Sequence, residues 1–260
     1  TFMQYGICLL SAIPCRKDAS NTSEMVTQLL FGDHYTIFET KGEWLKICIA
    51  YDSYECWINI KQHHTITSAV FNQLQTQKII CCTDLIAILS SDEFTFPICI
   101  GSTLPFFSNG QINISTKNYV FEGGTTIAFD KEVSLKKIIQ TAHLFINSPY
   151  LWGGKTPLGI DCSGFTQLVY KINGIKLPRD ASQQVEIGTP LNFVEEAEAG
   201  DLAFFDNEEG KITHVGILLD NERIIHASGC VKIDKFDHYG IFNSNTKKYS
   251  HTLRVIKKVI

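Results

Sequence analysis

A chain of 260 residues exceeds the usual size of a single domain, and with 44% hydrophobic residues it has ample apolar content for folded cores. Its formal net charge of −4 and isoelectric point near 6.0 argue against a nucleic-acid binder, which should show a basic face. The nine cysteines are odd in number and scattered, without a CxxC pair or a Cys/His spacing that suits zinc, which predicts free thiols, a reducing compartment and no metal site.

The first apolar stretch, 6–13, has no basic residue before it and does not read as a signal peptide. This favours a cytoplasmic location. Because residue 1 is not Met, a periplasmic or secreted protein with its leader removed is the alternative. Segments 35–39, 44–50 and 56–60 alternate or carry β-branched and aromatic residues, with turns at 40–43 and 51–55 between them, and predict a small β-barrel. His63 and His64 are neighbours on an extended segment and point to opposite faces, so they make a poor metal pair. Residues 68–77 predict a short linking helix. Beyond it, 78–128 is punctuated by Asp92, Pro97, Gly101, Asn109-Gly110 and Gly123-Gly124, a second region of strands and turns. The nearest approach to a membrane segment, 79–89, is short and contains Asp84.

Phe165, Leu168, Val169 and Ile172 recur at i, i+3, i+4 and i+7, with Asp161 as N-cap and Asn173-Gly174 as the stop. Cys162 then occupies the first helical turn, where unpaired N–H groups and the helix dipole favour a thiolate. Asp161 opposes that charge, so it is expected to turn away, either capping the helix or facing a cationic ligand group. Taken alone, Cys162 reads equally well as an inert buried thiol. Two histidines shift the reading. Segment 212–219 predicts a strand, and 223–228 its hairpin partner across Asp220-Asn221-Glu222. A turn centred on Asn221 pairs His226 with Gly216 and sets it on the same face as His214, within side-chain reach. A one-residue slip would separate them. Cys162, His214 and His226 thus sketch nucleophile, base and orienting residue.

The run Tyr150-Leu151-Trp152-Gly153-Gly154, Asp161-Cys162-Ser163-Gly164-Phe165, 177–180 with Gln183, 200–205, 213–217 and 225–227 resembles the NlpC-type cysteine peptidases, which cleave bacterial cell-wall peptides. The resemblance spans about residues 131–260. Segments 25–33, 44–47 and 52–57 look like a bacterial SH3-like domain, and 78–128 like a second, divergent copy. The implied fold is α+β, a papain-like NlpC-type catalytic domain (130–260) preceded by two small SH3-like β-barrels (1–66, and 67–129 including the linking helix). The resemblance makes Cys162 the nucleophile, His214 the general base and acid, His226 the orienting residue, and Tyr150 a donor to the oxyanion. It is strongest to γ-D-glutamyl-L-diamino acid endopeptidases acting on murein peptides with a free N-terminal L-alanine. There, Glu24, Tyr54 and Asp180 match positions that bind the ammonium, and Asp161 and Ser163 line the same pocket. Two positions depart from the pattern: Ala181 stands where relatives often carry Ser, and Cys56 where the barrel usually has Gly. The resemblance implies a peptide substrate and no cofactor; charge and segment lengths predict no nucleic-acid or membrane partner, and a monomer is expected although the sequence does not give the oligomeric state. It leaves lysine or diaminopimelate open at the third peptide position. A wall-anchored peptidoglycan hydrolase, an acyltransferase or amidase using the same thiol, and a non-catalytic wall-binding protein are the rival readings.

Overall fold

A computed structural model describes residues 4–128 and 133–260. They form two compact units, 4–128 with 152–156, and 133–151 with 157–260.

In the N-terminal unit, strands β1 (Gln4–Ile7), β2 (Ala12–Arg16), β3 (Met25–Leu30), β4 (His34–Lys41), β5 (Trp44–Ile49), β6 (Glu55–Asn59) and β7 (His64–Ile66) form one sheet in the order β3-β2-β6-β5-β4-β1-β7. The period-2 pattern explains it. Leu45, Ile47 and Ile49 turn inward from β5 to join Ile13, Leu29, Tyr35, Ile37 and Ile58 in one core, while the residues between them are only half-buried. The expected strands at 35–39, 44–50 and 56–60 are β4, β5 and β6. Helix α1 (Ser68–Thr76) follows, its first turn capped by Thr67 Oγ1, which accepts from the Val70 N–H at 3.2 Å. Next come β8 (Ile80–Cys82), β9 (Ile86–Ser90), β10 (Thr95–Cys99), β11 (Gln111–Ile114), β12 (Lys117–Glu122) and β13 (Thr125–Ile127), as a four-stranded sheet β10-β9-β12-β11 and a β13-β8 pair. The apolar run 79–89 is therefore two short strands around a turn, in which Asp84 accepts from the Gly124 N–H at 2.8 Å. No described helix is long and apolar enough to cross a membrane. The short strand β14 (Lys155–Thr156) also packs in this unit.

The C-terminal unit holds α2 (Leu135–Leu144), β15 (Gly159–Ile160), α3 (Cys162–Ile172), α4 (Ala181–Gln184), β16 (Thr189–Pro190), β17 (Leu202–Asp206), β18 (Ile212–Leu218), β19 (Arg223–Ser228), β20 (Cys230–Asp237), β21 (Gly240–Asn243) and β22 (Lys248–Lys258). Strands β17 to β21 follow one another as an antiparallel meander. The long β22 pairs with β17 on one side and β21 on the other, closing six strands into a barrel. Ala203, Phe205, Leu218, Ile224, Phe236, Ile241 and Ile256 fill it. On the opposite face of the same strands, α3 packs on β18 and β19. Every residue of α3 is buried, and burying Phe165, Leu168 and Val169 alone contributes about 1.5–3 kcal/mol each. That packing presses the N-terminus of α3 against β18.

Candidate active site

Asp161 ends the approach to α3 in extended conformation, and its Oδ1 accepts the Gly164 N–H at 2.7 Å. The cap, rather than a ligand-facing carboxylate, is the orientation found. The cation facing Asp161 belongs to the chain itself. Arg179 Nη1 donates to Oδ1 at 3.0 Å and Nη2 to Oδ2 at 2.6 Å, with only 1% of the Arg179 side chain exposed. Arg179 Nη1 also donates to Ser163 Oγ at 2.9 Å, and Gln184 Nε2 donates to the Ser163 carbonyl at 3.0 Å. Both Asp161 and Ser163, expected along a substrate pocket, are buried and engaged in this internal network.

Cys162 opens α3, and main-chain N–H groups of Val215 and Ser163 hydrogen-bond its sulfur. The sulfur thus lies against β18, at the residue next to His214. Its expected ionisation is not what the structure supports. Burial, then the Asp161 carboxylate, pushes the Cys162 thiol up to about 12, against the lowering effects of Val215 N–H, Arg179 and Ser163 N–H. Desolvation acts on the whole charge, whereas the helix terminus offers a partial one. Burial and Asp161 together thus favour the neutral thiol at Cys162.

On β18 and β19 the register is the expected one. Ile217 pairs with Ile225 and Leu218 with Ile224, so the ladder is centred on Asn221. His214 Nε2 and His226 Nδ1 stand 2.8 Å apart. Gly216 makes room for them, since a Cβ there would lie 2.9 Å from His226 Cβ and 2.6 Å from Ile224 Cδ1. His226 continues to the next strand, its Nε2 lying 3.1 Å from Asp234 Oδ2, and Lys232 Nζ lies 3.0 Å from the same oxygen. From β22, His251 stacks on His214 with ring centroids 4.1 Å apart at 25°. Burial holds the His214 imidazole well below its ordinary range, helped by His226, His251 and Lys232. A neutral imidazole is the form that can accept a proton from a thiol.

The sequence pattern of the NlpC/P60 family matches residues 147–251, and that of the bacterial dipeptidyl-peptidase SH3 domain matches 15–62. Over 217 residues the chain is 30% identical to a gamma-D-glutamyl-L-lysine dipeptidyl-peptidase of Bacillus subtilis, covering 77% of this chain and 71% of that one. The chain belongs to the NlpC/P60 family. A dipeptidyl-peptidase 6 of Lysinibacillus sphaericus is 28% identical, covering 79% of this chain and 81% of its own. A crystal structure of an NlpC/P60 family protein from Bacillus cereus has the same fold, with a TM-score of 0.82 at 21% identity over 98% of this chain and 99% of that chain.

Within this NlpC/P60 chain, the remaining expected residues lie as follows. Tyr150 is half-buried, its N–H donating to the Gly229 carbonyl at 2.9 Å. Burial, then Cys162 and Asp161, push its hydroxyl upward, so it keeps its proton and can donate. Asp180 is half-buried at the start of α4, where its N–H donates to Gln183 Oε1 at 3.2 Å, and the neighbouring Ala181 is buried. Glu24 and Tyr54 belong to the N-terminal unit. Glu24 is exposed, accepts the Trp152 indole N–H at 2.7 Å and lies 3.5 Å from Lys17 Nζ. Tyr54 is half-buried against the first core, its N–H donating to Asp52 Oδ1 at 3.1 Å. Cys56 is buried in that core, and all nine cysteines are free. Sequence reasoning missed Asp234, His251 and the Arg179–Asp161 pair. For Asp234 a signal existed: a second hairpin centred on Gly229 sets residue 234 two places beyond the residue facing His226.

Proposed function

We propose that this protein is a cysteine peptidase that hydrolyses the γ-D-glutamyl-L-diamino acid bond of murein peptides with a free N-terminal L-alanine, in the recycling of cell-wall peptides. The observation that carries this reading is the unbroken run of contacts from His214 through His226 to Asp234, beside the helix end that bears Cys162. The name gamma-D-glutamyl-L-lysine dipeptidyl-peptidase, borne by the Bacillus subtilis relative, supports the choice of bond. The sulfur attacks the γ-glutamyl carbonyl while its proton passes to His214. The developing oxyanion accepts from the Tyr150 hydroxyl and main-chain N–H. His214 then protonates the leaving amine, and as base it draws the proton from the water that hydrolyses the thioester. Products are L-Ala-D-Glu and a diamino acid or a peptide beginning with it.

Asp180 is the group of the C-terminal unit that we assign to the substrate's ammonium; Glu24 and Tyr54 of the N-terminal unit match, in the resemblance, positions with the same role. A charge-assisted hydrogen bond of this kind contributes about 1.5–3 kcal/mol, enough to reject N-blocked peptides whose binding leaves the acids unpaired. We assign 78–128 to a second SH3-like copy, supported by its short antiparallel strands, and we take the enzyme to act as a cytoplasmic monomer without a cofactor. Digestion of defined muropeptides, followed by mass spectrometry, tests the reading. Cys162→Ala is expected to bind peptide without turnover, and N-acetylation of the terminal alanine to abolish cleavage. Turnover by Cys162→Ala eliminates the scheme, and equal kcat/KM for free and acetylated peptides removes the recycling role in favour of a hydrolase of anchored wall peptides.

A further inference from the structure

One carboxylate oxygen of Asp234 lies 3.1 Å from His226 Nε2 and 3.0 Å from Lys232 Nζ. The hairpin of β19 and β20, turning at Gly229 with φ of 74°, pairs His226 with Lys232, and Asp234 follows two residues on, on the same face. His226 is wholly buried, and only 14% of the Asp234 side chain is exposed. An ionised carboxylate has lone pairs and no hydrogen to give. The hydrogen between Asp234 and His226 therefore sits on His226 Nε2. A neutral imidazole protonated at Nε2 presents a lone pair at Nδ1, so the hydrogen of the 2.8 Å contact between the rings belongs to His214 Nε2. His214 is then bare at Nδ1. That is the form a base needs.

We infer that Asp234 is a positioning residue of this active site, setting through His226 the tautomer in which His214 can accept the proton of Cys162. The inference rests on the peptidase reading of the site, but its first readout does not depend on turnover. Lys232 supports the same end, because its ammonium favours the ionised form of Asp234 and so denies it a proton to donate. The assignment gives His226 an acceptor at one nitrogen and a donor at the other, with no buried ring nitrogen left unmatched.

The test is ¹⁵N–¹H correlation of the histidine side chains in the whole protein at neutral pH, followed by kinetics of Asp234→Asn and Asp234→Glu. In the wild type, His214 and His226 are both expected to carry hydrogen on Nε2. An Asn side chain can turn its NH₂ toward His226 and so permit the opposite tautomers, which the spectrum of Asp234→Asn should show as a mixed or reversed pattern. Its kcat is expected to fall about 10²–10⁴-fold, the scale seen when an amide replaces the carboxylate of a serine-protease triad, with KM changing less than threefold. Asp234→Glu, which keeps the charge, should restore the wild-type tautomers and most of kcat. A wild-type spectrum with hydrogen on His214 Nδ1 overturns the inference, and needs no variant to fold. So does Asp234→Asn with unchanged tautomers and kcat. If no murein peptide is cleaved by the wild type, the function assigned above fails while the spectrum still decides the role of Asp234.

Discussion

Replacing Arg179 with Met isolates the contact that holds the helix end in place. In the folded chain the Asp161 carboxylate has two guanidinium hydrogen bonds, at 3.0 and 2.6 Å, and one from the Gly164 N–H at 2.7 Å. Met fills much of the same volume but leaves a buried carboxylate with its cation gone. Removing one partner of a buried ion pair costs about 3–5 kcal/mol, which is a large share of the roughly 5–15 kcal/mol that a domain possesses. Hydrogen exchange of the Gly164 and Phe165 amides reads this loss where it occurs. At about 1.4 kcal/mol per decade, exchange through local opening should quicken roughly 10²–10⁴-fold. Adding Asp161→Asn provides the control. The amide oxygen can keep the cap on Gly164 while the stranded charge disappears, so the double variant should recover most of the loss, a non-additivity of about 2 kcal/mol or more. Exchange that rises less than tenfold in Arg179→Met, or a double variant whose effects simply add, would refute the claim that this pair holds the start of α3, which bears Cys162.

Three other expectations are accessible to routine measurement. If His214 is the base proposed above, it must be neutral to act and is held well below its ordinary range, so the acid limb of kcat/KM should fall below pH 6.5, and His251→Phe, which keeps the stacked ring but removes a titratable neighbour, should move it upward; an unmoved limb contradicts the electrostatic role of His251. Buried His214 and His226 both resist protonation when folded, so below about pH 6.5 the unfolded chain binds more protons and stability is lost on acidification, by up to about 1.4 kcal/mol per pH unit for each ring; thermal melts between pH 7 and pH 5 that do not shift would count against it. Gly216→Ala should cost about 1–3 kcal/mol through overpacking and lower kcat at least tenfold as His226 is displaced, whereas kcat within twofold of wild type would show that the ring does not depend on that space.

The parts of this molecule that were legible in the sequence are those whose cause is local. Alternation along 44–50 marks β5, and the spacing of Phe165, Leu168, Val169 and Ile172 after Asp161 marks α3 and its cap. The turn at Asn221 was enough to bring His214 and His226 together, because register in an antiparallel pair follows from the turn. Longer-range causes were hidden. His251 reaches His214 only because β22 crosses from β21 to β17 with irregular register in both ladders. Arg179 meets Asp161 across 18 residues by way of the buried end of α3. The upward push on the Cys162 thiol is hidden for the same reason: a helix terminus is visible in a sequence, but the dryness around it is a property of the whole packed unit.

The meander of β18, β19 and β20 carries the string of His214, His226 and Asp234 within residues 214–234, folded on two tight reversals, while Cys162 arrives on a separate helix. That string is accordingly a short contiguous stretch of sequence joined by neighbour-to-neighbour strand pairing, on which a distant residue, His251 of β22, stacks. On the function proposed above, length changes in loops outside that stretch and β22 are expected to alter what is presented to the thiol while leaving the hydrogen-bonded string in place, so that substrate choice and chemistry can vary independently in one chain.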